Sequence, residues 1–481
     1  MADGVVSCLR VIDVRLGCAW DGGEVMTRRW FSRNPSYWLT GVFLAIVFAA
    51  AACSGTVSDN STEPVSEASA GTSPQPAATL LPPQIAASAS PTTVATAEPE
   101  PTSTAAPTGA PPLPTAAPVK TGDAPELEDT GNWINSEPFT LAEQRERGDV
   151  VLIDFWTYTC VNCIRTLPFL REWHSKYADR GLVILGVHTP EFEFEKILEN
   201  VQDAVAEFDL EYAVVQDNDF GTWNAFSNRF WPAKYLIDVQ GDIRYEHFGE
   251  GGYDETESQI RELLVEAGHD ISGIPAGTDP GPQVDSSVDR SSAVTSPTRE
   301  LYAGYKRNIG ALRSQNTPPY VHHVEYFEEF DVDTQYSDPG EHDNHFMYLE
   351  GLWRNEAENL LHARETSEYD DYIAVKFYGA SVNAVMAPIK GTPLRVKVTV
   401  DGGPVGLDQA GADIVHDPDG SSFVEVDSSR MYFIISQERF SSGELQLSSN
   451  SPEFALFAFT FGAYEGGEPD VSSNGSADDG S

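Results

Sequence analysis

Two cysteines separated by two residues, Cys160 and Cys163, follow an apolar run that begins at Val151, and they constrain this chain more than any other feature. The run is rich in β-branched residues, as in a buried strand, and residues 164–177 repeat apolar side chains at helical spacing. Cys160 is therefore expected where a strand turns into a helix. Unsatisfied amides and the helix dipole favour an anion there, so a Cys160 thiolate would be a usable nucleophile. Cys163, one turn later, can close a disulfide with it.

A structural disulfide and half of a zinc site are the alternative interpretations of this pair. Zinc needs a second pair of ligands, and no cysteine follows Cys163. His174 and His188 could complete such a site in principle, but their spacing matches no recognised ligand pattern. The pattern favours redox chemistry, and both alternatives stay open.

Composition divides the 481 residues into folded and unfolded parts. Residues 54–126 consist mostly of Ala, Pro, Thr and Ser, which predicts a disordered linker. A second linker is expected at residues 271–298 and a disordered tail at residues 463–481. Two folded regions are left, at residues 127–270 and 299–462. The net charge of −44 argues against nucleic acid as a partner, because a polyanion would be repelled.

Residues 1–53 are predicted to hold an N-terminal extension and a targeting signal. Basic residues precede an apolar stretch at residues 38–48, and small residues then lead to Cys53. This order resembles a bacterial lipoprotein signal, in which Cys53 would carry lipid and become the mature N-terminus. The alternatives are cleavage after Ala52 and an uncleaved anchor, which would be shorter than the roughly 20 residues that a membrane span needs.

Translation is a further open point, because residues 1–25 contain acidic side chains that do not suit a basic signal. Met26 is the alternative start. The pair Arg28-Arg29 also resembles a twin-arginine export motif. After export the chain would keep only Cys53 and the Cys160–Cys163 pair, which suits a redox pair that must not mispair with its own scaffold.

The first folded region alternates strands and helices after the cysteine helix. A buried strand at residues 181–187 should lie parallel to the strand before Cys160, because the helix between them favours a right-handed crossover. The later elements are a helix at 192–208, a strand at 212–215, a helical turn at 220–228, strands at 234–239 and 243–248 joined by a Gly-containing hairpin, and a helix at 255–267.

This order of elements resembles the thioredoxin fold, and residues 151–163 resemble the thioredoxin active-site segment. The wider context resembles the extracytoplasmic C-terminal region of DipZ-type proteins, close to the TlpA branch. It rests on Gly131-Asn132-Trp133-Ile134-Asn135, Arg165-Thr166-Leu167-Pro168 and His188-Thr189-Pro190-Glu191-Phe192. The resemblance covers both folded regions. It implies an α/β thioredoxin-like thiol-disulfide oxidoreductase whose redox group is its own disulfide, with no other cofactor and no metal.

The resemblance also assigns roles to single residues. Cys160 would attack a substrate disulfide, and Cys163 would resolve the mixed disulfide. Asp154 falls where thioredoxins keep a buried carboxylate. Since burial raises a carboxyl pKa, Asp154 could take the proton of Cys163. The alternative for Asp154 is a satisfied carboxylate at a strand end.

Trp231 and Pro232 fall where the family has its cis-proline. The resemblance implies that Pro232 presses against the cysteine pair and that the backbone of Trp231 pairs with an extended substrate. Trp156 is expected beside the disulfide, as packing and as a substrate contact. Glu191 receives no role.

Electron flow and partners follow from the same resemblance. The dipeptide Val161-Asn162 carries no charge that would stabilise the thiolate of a strong oxidant, which favours a reductase of protein disulfides. DipZ-type proteins also carry a membrane-embedded electron-transfer domain, so the expected partners are substrate proteins and a transmembrane electron donor. The expected setting is the extracytoplasmic side of the cell membrane, and cytochrome c biogenesis is an expected process.

The second folded region changes to period two, as at residues 394–400, with turns between short segments. Strands are also expected at 423–426, 432–435, 445–447 and 454–461. This predicts an all-β sandwich, which the resemblance relates to jelly-roll or carbohydrate-binding-module-like domains. Histidines at 322–323 and 342–345 could bind a metal, although solvated loop histidines are the simpler interpretation. Aromatic residues that could stack on sugars, or pack in the core, are Tyr326, Phe327, Tyr336 and Trp353.

Two other functions are therefore open. One is a surface lipoprotein that binds glycan or protein and uses the cysteine pair as a structural staple. The other is a thiol peroxidase. This alternative is weaker, because the peroxidases of the family place their reactive cysteine in a different motif, without a second cysteine one turn away.

Overall fold

The computed structural model describes residues 122–464, except 278–284, 286–287, 289–291, 293–294 and 315–316. The predicted signal, the lipid attachment at Cys53 and the tail after residue 464 lie outside the described residues, and the predicted domain boundaries stay predictions. Within the described part, no helix is both long enough and apolar enough to cross a membrane.

A seven-stranded mixed sheet organises the first folded region. Its strand order is β1-β7-β6-β3-β4-β5-β2. The strands are β1 (Gly122–Asp123), β2 (Trp133–Ile134), β3 (Val150–Trp156), β4 (Leu182–His188), β5 (Ala213–Gln216), β6 (Ala233–Ile237) and β7 (Asp242–Phe248). The helices are α1 (Leu141–Arg147), α2 (Val161–Tyr177), α3 (Leu198–Glu207), α4 (Gly221–Ala225) and α5 (Tyr253–Glu266).

The centre of this sheet is β3, every residue of which is buried. It runs parallel to β4 and antiparallel to β6. Side chains alternate between the two faces of a strand, so Leu152 and Trp156 join one core while Ile153 and Phe155 join the other. Helices cover both faces of the sheet. Cys160 lies just beyond the end of β3, at the edge of this sheet.

The structure confirms the thioredoxin-like fold, with small differences in its elements. The helix after the cysteines begins at Val161, three residues earlier than the apolar spacing predicted. The expected helix at 192–208 is instead a short 3-10 turn, Glu193–Lys196, followed by α3. Ile197 has extended backbone angles between them, which breaks the helix into these two segments.

The second folded region is an antiparallel sheet of eleven strands that forms a β-sandwich, as predicted. Its strands are β8 (Leu301–Tyr302), β9 (Asp333–Tyr336), β10 (Met347–Asn355), β11 (Leu360–His362), β12 (Asp371–Pro388), β13 (Leu394–Val400), β14 (Gly403–Pro404), β15 (Ile414–His416), β16 (Ser422–Val426), β17 (Arg430–Ser449) and β18 (Phe454–Gly462). One helix, α6 (Tyr305–Arg313), precedes β9.

Two long strands dominate the sandwich, and the sequence pattern missed their length. The separate strands predicted at 432–435 and 445–447 are the two ends of β17, which is 20 residues long. It pairs along β12, and the register shifts between Gly379 and Ser381. The mostly polar residues between the two ends hide the strand from a periodicity argument, because none of residues 436–444 is buried and residues 437–440 have no partner in the β12 register.

An apolar cluster connects the sandwich to the first folded region, or redox domain. The cluster under α2 includes Val161, Ile164 and Leu167, and it continues into the sandwich. The sandwich residues in the cluster are Leu361, Val385, Ala387, Met431, Ala455, Phe457 and Ala458. The second domain therefore packs on the same side of the sheet as the cysteine helix.

Candidate functional site

Cys160 is the N-cap residue of α2, in an extended conformation at the point where the chain leaves β3. The backbone N–H of Cys163 donates a hydrogen bond to Cys160 Sγ at 3.2 Å, and the two cysteines form a disulfide. Cys160 is partly exposed, whereas Cys163 is completely buried. This arrangement suits Cys160 as the nucleophile that a partner protein can reach. It suits Cys163 as the buried thiol that attacks Cys160 in a second step.

Asp154 lies in β3, directly opposite Lys234 of β6 in the sheet register. Lys234 Nζ lies 3.6 Å from Asp154 Oδ1, and both side chains are almost completely buried. Burial raises the pKa of Asp154 to about 6, against the opposing effect of the Lys234 charge. Burial also lowers the pKa of Lys234, although Asp154 opposes this. Asp154 is thus placed to change protonation near neutral pH.

Trp231 and Pro232 form the segment before β6. The peptide bond between them is cis, as the resemblance implied. Trp231 is half-buried, its indole N–H donates to the Thr189 carbonyl at 3.1 Å, and its ring packs on Trp223 with 4.3 Å between centroids. These contacts hold the segment that precedes β6 in one conformation.

Trp156 is completely buried, so its side chain does not reach the surface at which a substrate contact was predicted. Its ring packs edge-on against His188, with 5.3 Å between centroids. Gly186, opposite Asp154 on β4, has no side chain, and a Cβ there would lie 2.9 Å from the Trp156 indole nitrogen. Trp156 is therefore part of the apolar packing of this domain, in the same cluster as Cys163.

Glu195 is a buried carboxylate that the sequence argument missed. Its Oε1 accepts a hydrogen bond from Thr159 Oγ1 at 2.6 Å, and its Oε2 accepts from the backbone N–H groups of Glu191 and Phe192. Burial raises its pKa, and these hydrogen bonds act against that rise. Thr159 precedes Cys160, so this carboxylate ties the cysteine segment to the turn at residues 191–195.

In the described part of the chain, the histidines at residues 322–323 and 342–345 do not belong to a group of metal ligands. Among the described residues, no group of three or more His, Cys, Asp or Glu is arranged to hold a metal ion. His342 lies in a cleft of about 970 Å³ on the sandwich, where it stacks on Tyr348. The sugar-stacking candidates Tyr326, Tyr336 and Trp353 are buried in the sandwich core, and Phe327 packs against that core.

Known proteins resemble this chain in both domains. The AhpC/TSA family model matches residues 122–246, and the model of the thioredoxin like C-terminal domain matches residues 298–462. The Protein DipZ of Mycobacterium tuberculosis is 45% identical over 149 residues, which are 30% of this chain and 21% of DipZ. The NHL repeat-containing protein 2 of Homo sapiens is 33% identical over 132 residues, 27% of this chain and 18% of that protein. The chain thus spans only about a fifth of the length of these relatives.

A smaller relative is matched along nearly its whole length. The thiol-disulfide oxidoreductase YkuV of Bacillus subtilis is 30% identical over 142 residues, which are 30% of this chain and 94% of YkuV. Together with the fold and the cysteine pair, this match defines the class. The chain belongs to the thioredoxin-like family of thiol-disulfide oxidoreductases.

Proposed function

We propose that this protein reduces disulfides in partner proteins on the extracytoplasmic side of the membrane. The observation that carries the proposal is the pairing of a partly exposed Cys160 at a helix N-terminus with a completely buried Cys163. A thiolate at that position is stabilised by the amides and dipole of α2.

The reaction is a two-step exchange. In the reduced protein, the Cys160 thiolate attacks one sulfur of a substrate disulfide, which forms a mixed disulfide and releases the first substrate thiolate. The Cys163 thiol then loses its proton and attacks Cys160 Sγ, which releases the second substrate thiolate and leaves the Cys160–Cys163 disulfide. Two electrons pass from the protein to its substrate, and an electron donor of dithiol class must return them.

Asp154 is proposed to accept the proton of Cys163 in the second step. Its buried position and raised pKa suit a base that works near neutral pH. Lys234 faces it and keeps part of the carboxylate population charged. Pro232 and the backbone of Trp231 are proposed to align an extended substrate segment beside Cys160, where the exposed ring of Phe230 offers an apolar contact.

The cellular setting is part of the proposal. The sequence of residues 1–53 supports export and a lipid on Cys53, so the substrates would be proteins near the membrane and the donor a transmembrane dithiol protein. The uncharged dipeptide between the cysteines supports a reducing couple. Cytochrome c biogenesis, which needs reduced haem-attachment thiols, is one process that would use this activity.

Trapping of partners tests the proposal. A Cys163→Ser variant can form the mixed disulfide on Cys160 but cannot resolve it, so substrate proteins should be captured as adducts that a reductant releases. Cys160→Ser is the matched control, because it keeps one thiol but lacks the nucleophile. Equal capture by the two variants would contradict the proposal.

Two other functions have separate tests. The match to the AhpC/TSA model supports a thiol peroxidase as the second candidate, and it requires that hydrogen peroxide convert Cys160 to a sulfenic acid faster than a protein disulfide oxidises it. For the sandwich we propose a scaffold role over glycan binding. Binding of soluble glycans to the full chain would reverse that choice.

A further inference from the structure

We propose that Glu195 is a positioning residue of the redox site and that the sandwich acts on Cys160 through the turn at residues 191–195. The inference rests on the proposed role of Cys160 as the nucleophile. It gives the second domain a part in the redox chemistry that does not depend on any ligand of its own.

The first observation is the connection between the turn and the cysteine segment. Glu195 is completely buried, and one carboxylate oxygen holds Thr159, the neighbour of Cys160, while the other holds two backbone N–H groups of the turn. A buried carboxylate is costly unless such hydrogen bonds satisfy it. The position of Thr159 and the conformation of the turn are therefore coupled through one side chain.

The second observation is that the sandwich contacts the same turn with three kinds of interaction. Arg307 Nη2 lies 2.5 Å from Glu191 Oε1, and Glu358 Oε2 accepts a hydrogen bond from the backbone N–H of Glu193 at 2.9 Å. The ring of Phe457 lies 5.3 Å from Phe192 and 4.9 Å from Phe194. The conformation of the turn thus depends on the sandwich as well as on Glu195.

The third observation is that the sandwich also contacts the cysteine segment directly. Tyr158 Oη donates a hydrogen bond to the Ser429 carbonyl, in the turn between β16 and β17, at 3.3 Å. The Tyr158 ring stacks on His188, with 5.6 Å between centroids. The sandwich therefore holds Tyr158 directly. It holds Thr159 indirectly, through Glu195 and the turn at residues 191–195.

The geometry of the Cys160 cap should depend on these contacts. A thiolate gains from the helix N-terminus only while its sulfur stays in line with the free N–H groups of α2. If the turn moves, Thr159 loses its acceptor and the segment before Cys160 can shift. The midpoint of Cys160 ionisation should then rise towards that of a free thiol.

Alkylation of Cys160 as a function of pH tests this without any substrate. The full chain with Cys163→Ser is reduced and treated with iodoacetamide, and labelling of the Cys160 peptide is followed by mass spectrometry. Thr159→Val removes the hydroxyl that donates a hydrogen bond to Glu195. Phe457→Ala removes the sandwich ring that packs against the turn. Each should slow labelling at neutral pH on the order of fivefold and raise the midpoint.

The matched control is Phe423→Ala. Phe423 is 7% exposed and Phe457 is 6% exposed, but the contacts of Phe423 are with Tyr369 and Arg395 of the sandwich. It loses the same ring at the same burial without touching the turn, so its labelling profile should match that of the Cys163→Ser parent. A profile of Phe457→Ala equal to that of Phe423→Ala overturns the proposal, as does an unchanged profile of Thr159→Val.

Non-additivity separates one shared path from two independent effects. The double variant Thr159→Val/Phe457→Ala should change labelling by less than the product of the single effects, and a full product would overturn the shared path. If Phe457→Ala fails to fold, Phe457→Leu and Phe423→Leu make the same comparison. If partner trapping fails while Thr159→Val and Phe457→Ala still slow the labelling of Cys160 as expected, the proposed function is refuted and the positioning role of Glu195 is not.

Discussion

Lys234 and Asp154 face each other at the centre of the redox sheet with 3.6 Å between Nζ and Oδ1, and their side chains are 0% and 1% exposed. In the part of the chain that the structure describes, neither of these two atoms has a hydrogen-bond partner. A buried ion pair of this kind is weak evidence for stability, because desolvation costs about as much as the charges gain. Its place in the strand that leads to Cys160 suggests a role in the reaction.

Asp154→Asn should slow resolution by Cys163 and leave the attack by Cys160 nearly unchanged. Asparagine has almost the same shape but cannot accept the proton, and general-base catalysis contributes about 100-fold or more. Stopped-flow traces with a fluorescent peptide disulfide separate the two steps. Equal slowing of both steps would mean that Asp154 only supports the fold.

The same variant should change how stability depends on pH. Asp154 has a pKa of about 6 in the folded protein and 3.8 as its ordinary value, so the folded state binds more protons between these pH values. The free energy of unfolding should fall as pH rises through this window, by up to about 3 kcal/mol from this group. Urea unfolding at several pH values should find this fall in the wild type and not in Asp154→Asn. The exposed Asp179→Asn should behave like the wild type, and a fall of the same size in Asp154→Asn would contradict the assignment.

Lys234→Met should be less stable than the double variant Asp154→Asn/Lys234→Met. Removal of one partner leaves an uncompensated buried charge, which costs about 3 kcal/mol or more, whereas replacing both partners is often nearly neutral. Loss of the lysine should also raise the pH at which resolution has its midpoint, because the Lys234 charge opposes the rise of the Asp154 pKa. Chemical denaturation at neutral pH and a pH profile of the resolving step test the two statements. If the midpoint of the pH profile for the resolving step does not move in Lys234→Met, Lys234 does not influence the proton acceptor of that step.

Asn162→His should make the redox couple more oxidising. A protonated histidine beside Cys160 stabilises the thiolate, and this stabilises the reduced form. The wild type should lie nearer the roughly −270 mV of a thioredoxin than the roughly −120 mV of a strong oxidant. Equilibration with glutathione buffers measures both potentials. A wild-type value near the oxidant end would reverse the proposed direction of electron flow.

Cys53→Ala should release the protein from the membrane fraction or block its maturation. A lipid on Cys53 would hold the redox domain near the membrane, while the linker lets it range over tens of ångströms, about 5–6 Å times the square root of the linker length. Fractionation and N-terminal sequencing of the mature protein provide the measurement. A soluble wild type whose N-terminus lies elsewhere would exclude the lipid anchor and leave the redox assignment intact.

The local part of the site could be predicted from the sequence. A buried strand, a helix and a cysteine between them are patterns of neighbouring residues, and the structure places Cys160 at the cap as expected. Lys234 and Glu195 were missed because their partners are 80 and 36 residues away in the chain. A lysine within an otherwise apolar strand was the one signal that could have indicated a buried counter-charge.

The sandwich was predicted less well for a related reason. Its class follows from alternating residues, but the length of β12 and β17 depends on pairing between distant segments. The pairing of Glu191 with Arg307 joins residues 116 apart. The order of elements along the sequence carries no information on which face of one domain meets the other.

A single-turnover reaction tests the central claim most directly. The reduced full chain is mixed with an equal amount of a peptide disulfide, and thiols and protein disulfides are counted by mass spectrometry after acid quenching. We expect two peptide thiols for each Cys160–Cys163 disulfide formed, and a mixed disulfide on Cys160 that accumulates in Cys163→Ser. Peptide thiols released without a Cys160–Cys163 disulfide, or no reaction at all, would contradict the account.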